Sequence, residues 1–377
     1  GWFIATKVNG LFTVYDDKTI HHNTADIFQK NALLFNELMQ IFQDNSGTIW
    51  ISCQLGLSSF NPNNRGFLGV GPSGTPEKGI PTPSVWSFTE SDDAKYVYIG
   101  TDHSITRLNR EQNRFTQYHR KIGVGAEGKG EMAVLSMLII DHNSLLVGCA
   151  DGLFELTIAD SSYYYKKIKL AKKDQGSNHE RVYAIVKWKE TKCLVGTKDG
   201  VIIYDYKTGA KQYFEHDRKA PSTSISKGAC RVVYKDAHDQ IWFATSSGGL
   251  NVLSDFKGDL KIRPYEYNSI IRATSKDYIT SIYQDQNGNY WLGTFGSGLI
   301  KWNDKKKSTK NYSKSDGLPN DVIYGIVADK NGKLWLSTNK GVCSFNPGSE
   351  KAMNYTEEDG LMSNEFNLGA SLVYKLY

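Results

Sequence analysis

Short runs of alternating apolar and polar residues, separated by Gly, Asn and Asp, recur along the whole chain at a nearly constant interval. Alternation sends successive side chains to opposite faces of a strand, whereas a helix would need apolar positions three or four residues apart. Alignment on Trp50-Ile51-Ser52-Cys53 brings six further copies into register: Tyr98-Ile99-Gly100-Thr101, Leu146-Val147-Gly148-Cys149, Leu194-Val195-Gly196-Thr197, Trp242-Phe243-Ala244-Thr245, Trp291-Leu292-Gly293-Thr294 and Trp335-Leu336-Ser337-Thr338. An eighth, Phe3-Ile4-Ala5-Thr6, opens the chain. The anchors at 3, 50, 98, 146, 194, 242, 291 and 335 lie 47, 48, 48, 48, 48, 49 and 44 residues apart. Jitter this small fits a repeat array whose insertions fall in loops.

Each column of the repeat has a physical meaning. The anchor is large and apolar, and aromatic in most copies. Two residues on, the side chain is always Gly, Ala or Ser, on the same sheet face as the anchor. A bulky group beside a site for a small one suits a sheet packed closely on a neighbour. The next residue is Thr or Cys, and a Gly-aliphatic pair such as Gly200-Val201, Gly249-Leu250 or Gly298-Leu299 follows, reading as a turn and a third strand. Ser104-Ile105 is the one departure. Upstream of seven anchors lies another strand-like run (Leu38–Gln43, Val85–Thr89, Val134–Ile140, Val182–Val186, Arg231–Tyr234, Ile279–Tyr283, Val322–Val327). Asp44, Asp92, Asp236, Asp285 and Asp329 stand six residues before their anchors, often with Gly three residues later, as a turn requires. A fourth strand follows in Phe115–His119, Tyr163–Ile168 and Gln212–Glu215. Four antiparallel strands per repeat of this length predict an all-β fold, a β-propeller of seven or eight four-stranded blades covering residues 1–377.

Composition narrows the picture without changing it. With 377 residues, 35 Gly and 40% hydrophobic residues, the chain can bury a large core and belongs to neither the disordered nor the membrane-embedded class. No apolar run approaches the ~20 residues of a membrane helix. The net charge of +5 comes partly from Lys166-Lys167-Ile168-Lys169 with Lys172-Lys173 and from Lys305-Lys306-Lys307, which read as solvated turns and protected sheet edges. Neither nucleic-acid nor membrane contact is expected. Five scattered cysteines without a CxxC pair argue against a disulfide framework or a zinc site, and Cys53 and Cys149 replace Thr as small buried side chains. The redox compartment stays open. The chain opens at Gly1 without Met and stops at Tyr377 in mid-pattern, so a piece of a longer polypeptide is expected.

Catalytic chemistry is not legible. HExxH, Walker A and GxSxG are missing from the sequence. Gly69-x-Gly71-x-x-Gly74 and Gly123-x-Gly125-x-x-Gly128 match a dinucleotide fingerprint in spelling only, since neither opens a helix; both read as loops. The eight His residues lack metal-ligand spacing. The Asp columns spell Asp-x-x-Gly-x-x-Trp, which is neither the sialidase Asp-box nor the EF-hand, and read as turn caps rather than metal ligands. No cofactor or metal is expected.

The repeat, written as strand, Asp-x-x-Gly-x-[Leu/Ile/Tyr]-Trp-[Leu/Ile]-[Gly/Ser]-Thr, Gly-Leu, then Asp-Gly-Leu-Pro-Asn, resembles the two-component regulator propeller repeat. Asp285–Thr294 and Asp329–Thr338 carry it best. Asp316-Gly317-Leu318-Pro319-Asn320 matches the connector between blades, and Asp359-Gly360-Leu361 resembles the one late in the second propeller of Bacteroidetes hybrid two-component sensors. The copies at Tyr98, Leu146 and Leu194 are the weakest. The resemblance implies a periplasmic receptor built from two seven-bladed propellers, followed by a β-sandwich, a membrane helix, a histidine kinase, a receiver and a DNA-binding module. It also implies an oligosaccharide ligand, a homodimeric parent and a fragment without enzymatic activity of its own.

In a propeller, the loops after the second strand and those between blades share one mouth. They carry His103, Lys198 and Phe295 in the first set and Arg231, Tyr278 and Asn320 in the second, and these are the candidate ligand-binding residues. Aromatic faces and planar hydrogen-bonding groups suit a sugar. Two other readings stand beside the sensor: a lyase- or glycosidase-like propeller enzyme acting at one mouth, and a protein-interaction scaffold.

Overall fold

The computed structural model describes residues 2–14, 18–25, 33, 36–43, 49–53, 56–60, 69–120, 133–159, 162–171, 180–247, 249–256, 258–265, 277–368 and 370. They form antiparallel strands almost throughout, in two compact units: residues 1–81 with 355–363, and residues 82–354 with 364–377.

In the larger unit, six four-stranded sheets follow one another along the chain, each a meander whose spatial order is its sequence order. These blades, I to VI, span 85–119, 134–168, 182–215, 230–264, 279–312 and 323–355. Their first strands are Val85–Glu90, Val134–Asp141, Val182–Lys189, Cys230–Lys235, Ile279–Gln284 and Ile323–Ala328. From blade II onwards, each first strand packs on the first and second strands of the blade before it, the arrangement of a propeller. The core is divided accordingly into five hydrophobic clusters, one between each pair of successive blades.

The small-residue column lies at that inter-blade contact. A Cβ on Gly293 would stand 2.4 Å from Ser281 Oγ and 3.0 Å from the Ile323 side chain, and one on Gly196 would stand 2.6 Å from the Cys230 carbonyl oxygen. Neither gap accepts a methyl group. The Thr column closes the turn between second and third strands: Thr101, Thr197, Thr294 and Thr338 Oγ1 donate to the carbonyls of Ser104, Gly200, Gly298 and Gly341 at 2.9–3.0 Å. Cys149, which takes the Thr place in blade II, is buried, and burial pushes its thiol up to about 12. All five cysteines are buried and unpaired, so they pack as small apolar side chains.

The Asp column is a clamp. In blades IV, V and VI one carboxylate oxygen of Asp236, Asp285 or Asp329 accepts two backbone N–H groups of its own turn, two and four residues on, at 2.8–3.1 Å. The other accepts the indole N–H of Trp242, Trp291 or Trp335, at 2.9, 2.9 and 3.3 Å. The spacing of six is the reach from a turn's first residue to the anchor on the returning strand. Blade I departs from this expectation. Ser91 Oγ accepts the Tyr96 N–H and Asp93 Oδ1 the Lys95 N–H, so residues on either side of Asp92 cap the turn. Its anchor, Tyr98, has no indole N–H for an aspartate to hold. Asp44 lies outside the described residues.

Residues 364–368 add a seventh station to this unit. Gly341 N donates to Asn364 O, as Gly298 N donates to Asp321 O between blades V and VI. Asn367 Nδ2 then donates to Val85 O at the start of blade I, 2.9 Å away. Thr280 Oγ1 makes the same kind of bond to Ile323 O from blade V to blade VI.

The smaller unit holds two three-stranded sheets, Trp2–Ala5, Leu11–Val14, Ile20–Asn23 and Leu38–Gln43, Ile49–Cys53, Gly56–Phe60. Thr6 Oγ1 donates to Gly10 O, repeating the Thr turn. The Gly69–Gly74 segment forms a loop in which Ser73 N donates to Ile80 O. The Gly123–Gly128 segment lies outside the described residues.

Candidate functional site

One position in the repeat departs from regular pairing in every blade of the larger unit. Just after the opening residue of each first strand, the register with the second strand slips by one. The residues at the slip are Trp86, Leu135, Tyr183, Arg231, Thr280 and Tyr324, and none has a partner across the ladder. Such a bulge bends the strand and re-aims a side chain. Because first strands begin where second strands end, all six bulges lie at one end of the blades, beside the turns that follow the capping threonines.

Those turns complete the rim. The backbone N–H of Lys198 donates to Arg181 O and that of Phe295 to Tyr278 O, both at 3.1 Å, tying each turn to the residue that precedes a first strand. Trp86 Nε1 donates to Asp102 Oδ1 at 2.5 Å, and the Tyr324 hydroxyl to Asn339 Oδ1 at 2.7 Å. The Ser297 hydroxyl donates to Asp277 Oδ2.

Across blades III to VI the rim side chains touch in series. The Arg181 guanidinium lies 5.9 Å from the centre of the Tyr183 ring. The Arg231 guanidinium lies 4.7 Å over Tyr183 on one side and 5.5 Å over Tyr278 on the other. Tyr278 stacks on Phe295 with centroids 4.8 Å apart and planes 17° from parallel, and Phe295 meets Tyr324 edge-on at 6.4 Å. Phe295 is 42% exposed, which leaves a broad apolar surface in solvent. Arg231 is partly buried; its Nε has no hydrogen-bond partner, and the residue makes no ion pair with any described residue. Its charge is met by two aromatic faces, a cation–π arrangement that holds the guanidinium plane without neutralising it. Burial pushes the Tyr278 phenol up, with Arg231 acting in the opposite sense and Tyr324 adding to the rise, so the hydroxyl is neutral near pH 7.

Three of the six candidate residues read from the sequence, Arg231, Tyr278 and Phe295, therefore come into direct contact. Lys198 sits on the same kind of turn as Phe295, one blade earlier than Arg231, with its side chain exposed. His103 is exposed and follows Asp102, the acceptor of the Trp86 indole. Asn320 Oδ1 accepts the Val322 N–H at 2.7 Å, which commits that side-chain oxygen to shaping the connector. Sequence reading passed over Trp86, Arg181, Tyr183 and Tyr324. A signal was present: four of the six residues at the bulge position are aromatic or Arg. Its meaning depended on a slip in register that no alternation pattern reveals. Among the described residues no group of three His, Cys, Asp or Glu side chains could hold a metal ion, and no helix is long and apolar enough to cross a membrane.

Comparison with known proteins agrees with this architecture. Residues 275–296 and 317–340 match the sequence model of the two component regulator propeller family. Over 171 residues the chain is 26% identical to histidine kinase P4 of Formosa agariphila, an alignment covering 44% of this chain and 12% of that kinase. It is also similar to the extracellular domain of a putative hybrid two-component system from B. thetaiotaomicron, at 20% identity and TM-score 0.40, covering 94% of this chain and 44% of that one. A further similar structure is PorZ, a surface component of the type-IX secretion system of Porphyromonas gingivalis, at 14% identity and TM-score 0.56, covering 95% of this chain and 52% of that one. The chain thus spans a small fraction of the kinase and about half of each solved structure. The likeness to PorZ supports the fold, and the matched segments fall on blades V and VI, where the Asp–Trp clamp is complete. The sheets described above are propeller blades, and the chain carries two-component regulator propeller repeats.

Proposed function

We propose that this chain is the extracytoplasmic, periplasmic sensing part of a hybrid two-component signalling protein, and that the aromatic and arginine rim of blades III to VI recognises a glycan breakdown product. The observation that carries this reading is the contiguous series Arg231, Tyr278, Phe295 and Tyr324 from blades IV to VI, with Arg231 and Tyr324 on the repeated bulge, Tyr278 just before the first strand of blade V and Phe295 on the turn beside it. Exposed aromatic faces pack against the apolar faces of sugar rings, while the flanking Arg, Asn and Tyr groups offer hydrogen bonds to hydroxyls. The fragment does no chemistry on the sugar. Ligand binding shifts a two-state equilibrium in a homodimeric parent, and a kinase outside this chain reads that shift. Neither nucleic acid nor membrane is a partner of this part.

The test is calorimetric titration of the protein with panels of di- to hexasaccharides. One class of oligosaccharide is expected to bind, and Phe295→Ala to weaken it severalfold to about tenfold through loss of the stacking face. If no oligosaccharide binds the dimeric parent region, or if Phe295→Ala leaves a bound one unaffected, the reading fails.

A further inference from the structure

Arg231 lies at the centre of the rim, and its environment is incomplete in a specific way. The side chain is partly buried and clasped between the Tyr183 and Tyr278 rings, its Nε has no hydrogen-bond partner, and it makes no ion pair with any described residue. Burying part of an unpaired charge is unfavourable, and two ring faces offset only part of that. Asp277, which precedes Tyr278 on the rim, has a carboxylate oxygen occupied by the Ser297 hydroxyl. Elsewhere in the unit, two partly buried arginines find carboxylates, Arg110 with Glu90 and Arg120 with Asp151 at 2.7 Å, whereas Arg107 lies between the Tyr96 and Tyr118 rings without an ion pair to any described residue. Arg231 shares the aromatic clasp of Arg107, but it sits on the rim, in contact through Tyr278 with the exposed Phe295 ring. The aromatic clasp also fixes the plane of a guanidinium, which favours a planar, two-point acceptor over a diffuse counter-ion.

We infer that the rim is built for an acidic saccharide, with an anionic substituent of the sugar, a carboxylate or a sulfate ester, on Arg231 and a neighbouring sugar ring stacked on Phe295. The inference rests on the glycan reading given above and specifies its ligand class. Tyr278 joins the two subsites, because its ring contacts the Arg231 guanidinium on one side and the Phe295 ring on the other. The anion and the stacked ring therefore belong to one oligosaccharide of two or more units. A charge-assisted hydrogen-bonded pair at a partly desolvated site contributes about a tenfold to hundredfold gain in affinity over an uncharged hydroxyl in the same place.

The experiment titrates the full chain with three trisaccharides of the same linkage: trigalacturonate, its carboxyl-reduced neutral counterpart, and the neutral trisaccharide carrying a 6-sulfate. Wild type is expected to bind at least one acidic form about tenfold to a hundredfold more tightly than the neutral one, with the advantage shrinking as salt rises. Which acidic form wins tells carboxylate from sulfate. Arg231→Gln is expected to bring acidic and neutral forms within about threefold, while Phe295→Ala weakens both in parallel. Thermal melting checks that each variant folds. If Arg231→Gln does not fold, Arg231→Lys takes its place; it keeps the charge without the fork, so a preference reduced several-fold is expected. Equal binding of neutral and acidic forms by wild type, or an unchanged preference in the Arg231 variant, overturns the inference. Phe295-dependent binding of the neutral trisaccharide alone would leave the glycan reading standing and remove this one; binding of none of the three removes this inference, and the glycan reading falls with it only if the wider di- to hexasaccharide panel also fails to bind.

Discussion

Blades II and III build the same sheet as blades IV, V and VI, yet turn between their first and second strands by different chemistry. In blade II the first strand runs to Asp141, which pairs with Ser144 across a two-residue loop, and in blade III Lys189 pairs with Lys192 in the same way. Both first strands are eight residues long and carry a second register slip near the turn. In blades IV to VI the first strand stops after six residues and a five-residue turn intervenes, closed by bonds such as Asp236 N to Gln240 O. The longer turn leaves backbone N–H groups without ladder partners, and the aspartate supplies the acceptor. Its second oxygen then holds the tryptophan. A tight hairpin leaves fewer orphan donors: in blade II Asp141 Oδ1 accepts one turn N–H, from Asn143 at 2.8 Å. No aspartate stands six residues before Leu146 or Leu194 to hold a tryptophan, in keeping with the weakness of these two copies of the repeat. The difference teaches that the motif records turn length, while the blade itself depends on the small column and the inter-blade core.

The sharpest way to break this comparison is to remove the clamp where it carries most. Asp236 is buried and accepts Trp242 Nε1, the Tyr290 hydroxyl from the next blade at 2.6 Å, and two backbone N–H groups. Asp236→Ala should destabilise the larger unit by about 3 kcal/mol or more, read from urea midpoints. Glu190→Ala, in the tight turn of blade III, should stay within about 0.5 kcal/mol. Similar losses at the two sites would show that turn chemistry does not separate the groups.

An intermediate effect tests what the groups share. Gly196→Ala in blade III and Gly293→Ala in blade V each place a methyl group against the next blade's first strand. Both should cost about 1–3 kcal/mol by overpacking. A neutral result in either blade would mean that its inter-blade gap can open.

The smallest effect appears only in acid. For Asp236, burial opposes ionisation, but hydrogen bonds from Tyr290, Trp242, His238 and Gln240 outweigh it, so its carboxyl is held below the ordinary value. Asp329 follows the same pattern, with burial outweighed by bonds from Asn331, Trp335 and Lys333. A folded-state value below the unfolded one means that the stabilisation is complete above the unfolded value. It is lost as pH falls through the lower folded one, so the window lies below about pH 4. The stability gap between wild type and Asp329→Asn should therefore be constant from pH 7 to 5 and close below pH 4. A gap that widened in acid would contradict the clamp.

Much of this protein is determined by local pattern alone. Alternation and the period specify four strands per repeat, because a strand's faces follow from its own residues. The small column announces close sheet packing, and the Asp–Trp spacing of six is a local reach within one hairpin, legible before any tertiary contact is known. The rim is of another kind. Trp86, Tyr183, Arg231 and Tyr324 look like ordinary strand residues until the register slips beside each of them, and that slip is a property of two paired strands. The clasp on Arg231 joins Tyr183 and Tyr278 from the blades on either side, and Asp236 receives a hydroxyl from a residue 54 positions away. Such contacts exist only once neighbouring blades pack. Strand, turn and period follow from energies within a few residues, whereas the site comes from which side chains the packing of successive blades sets against one another.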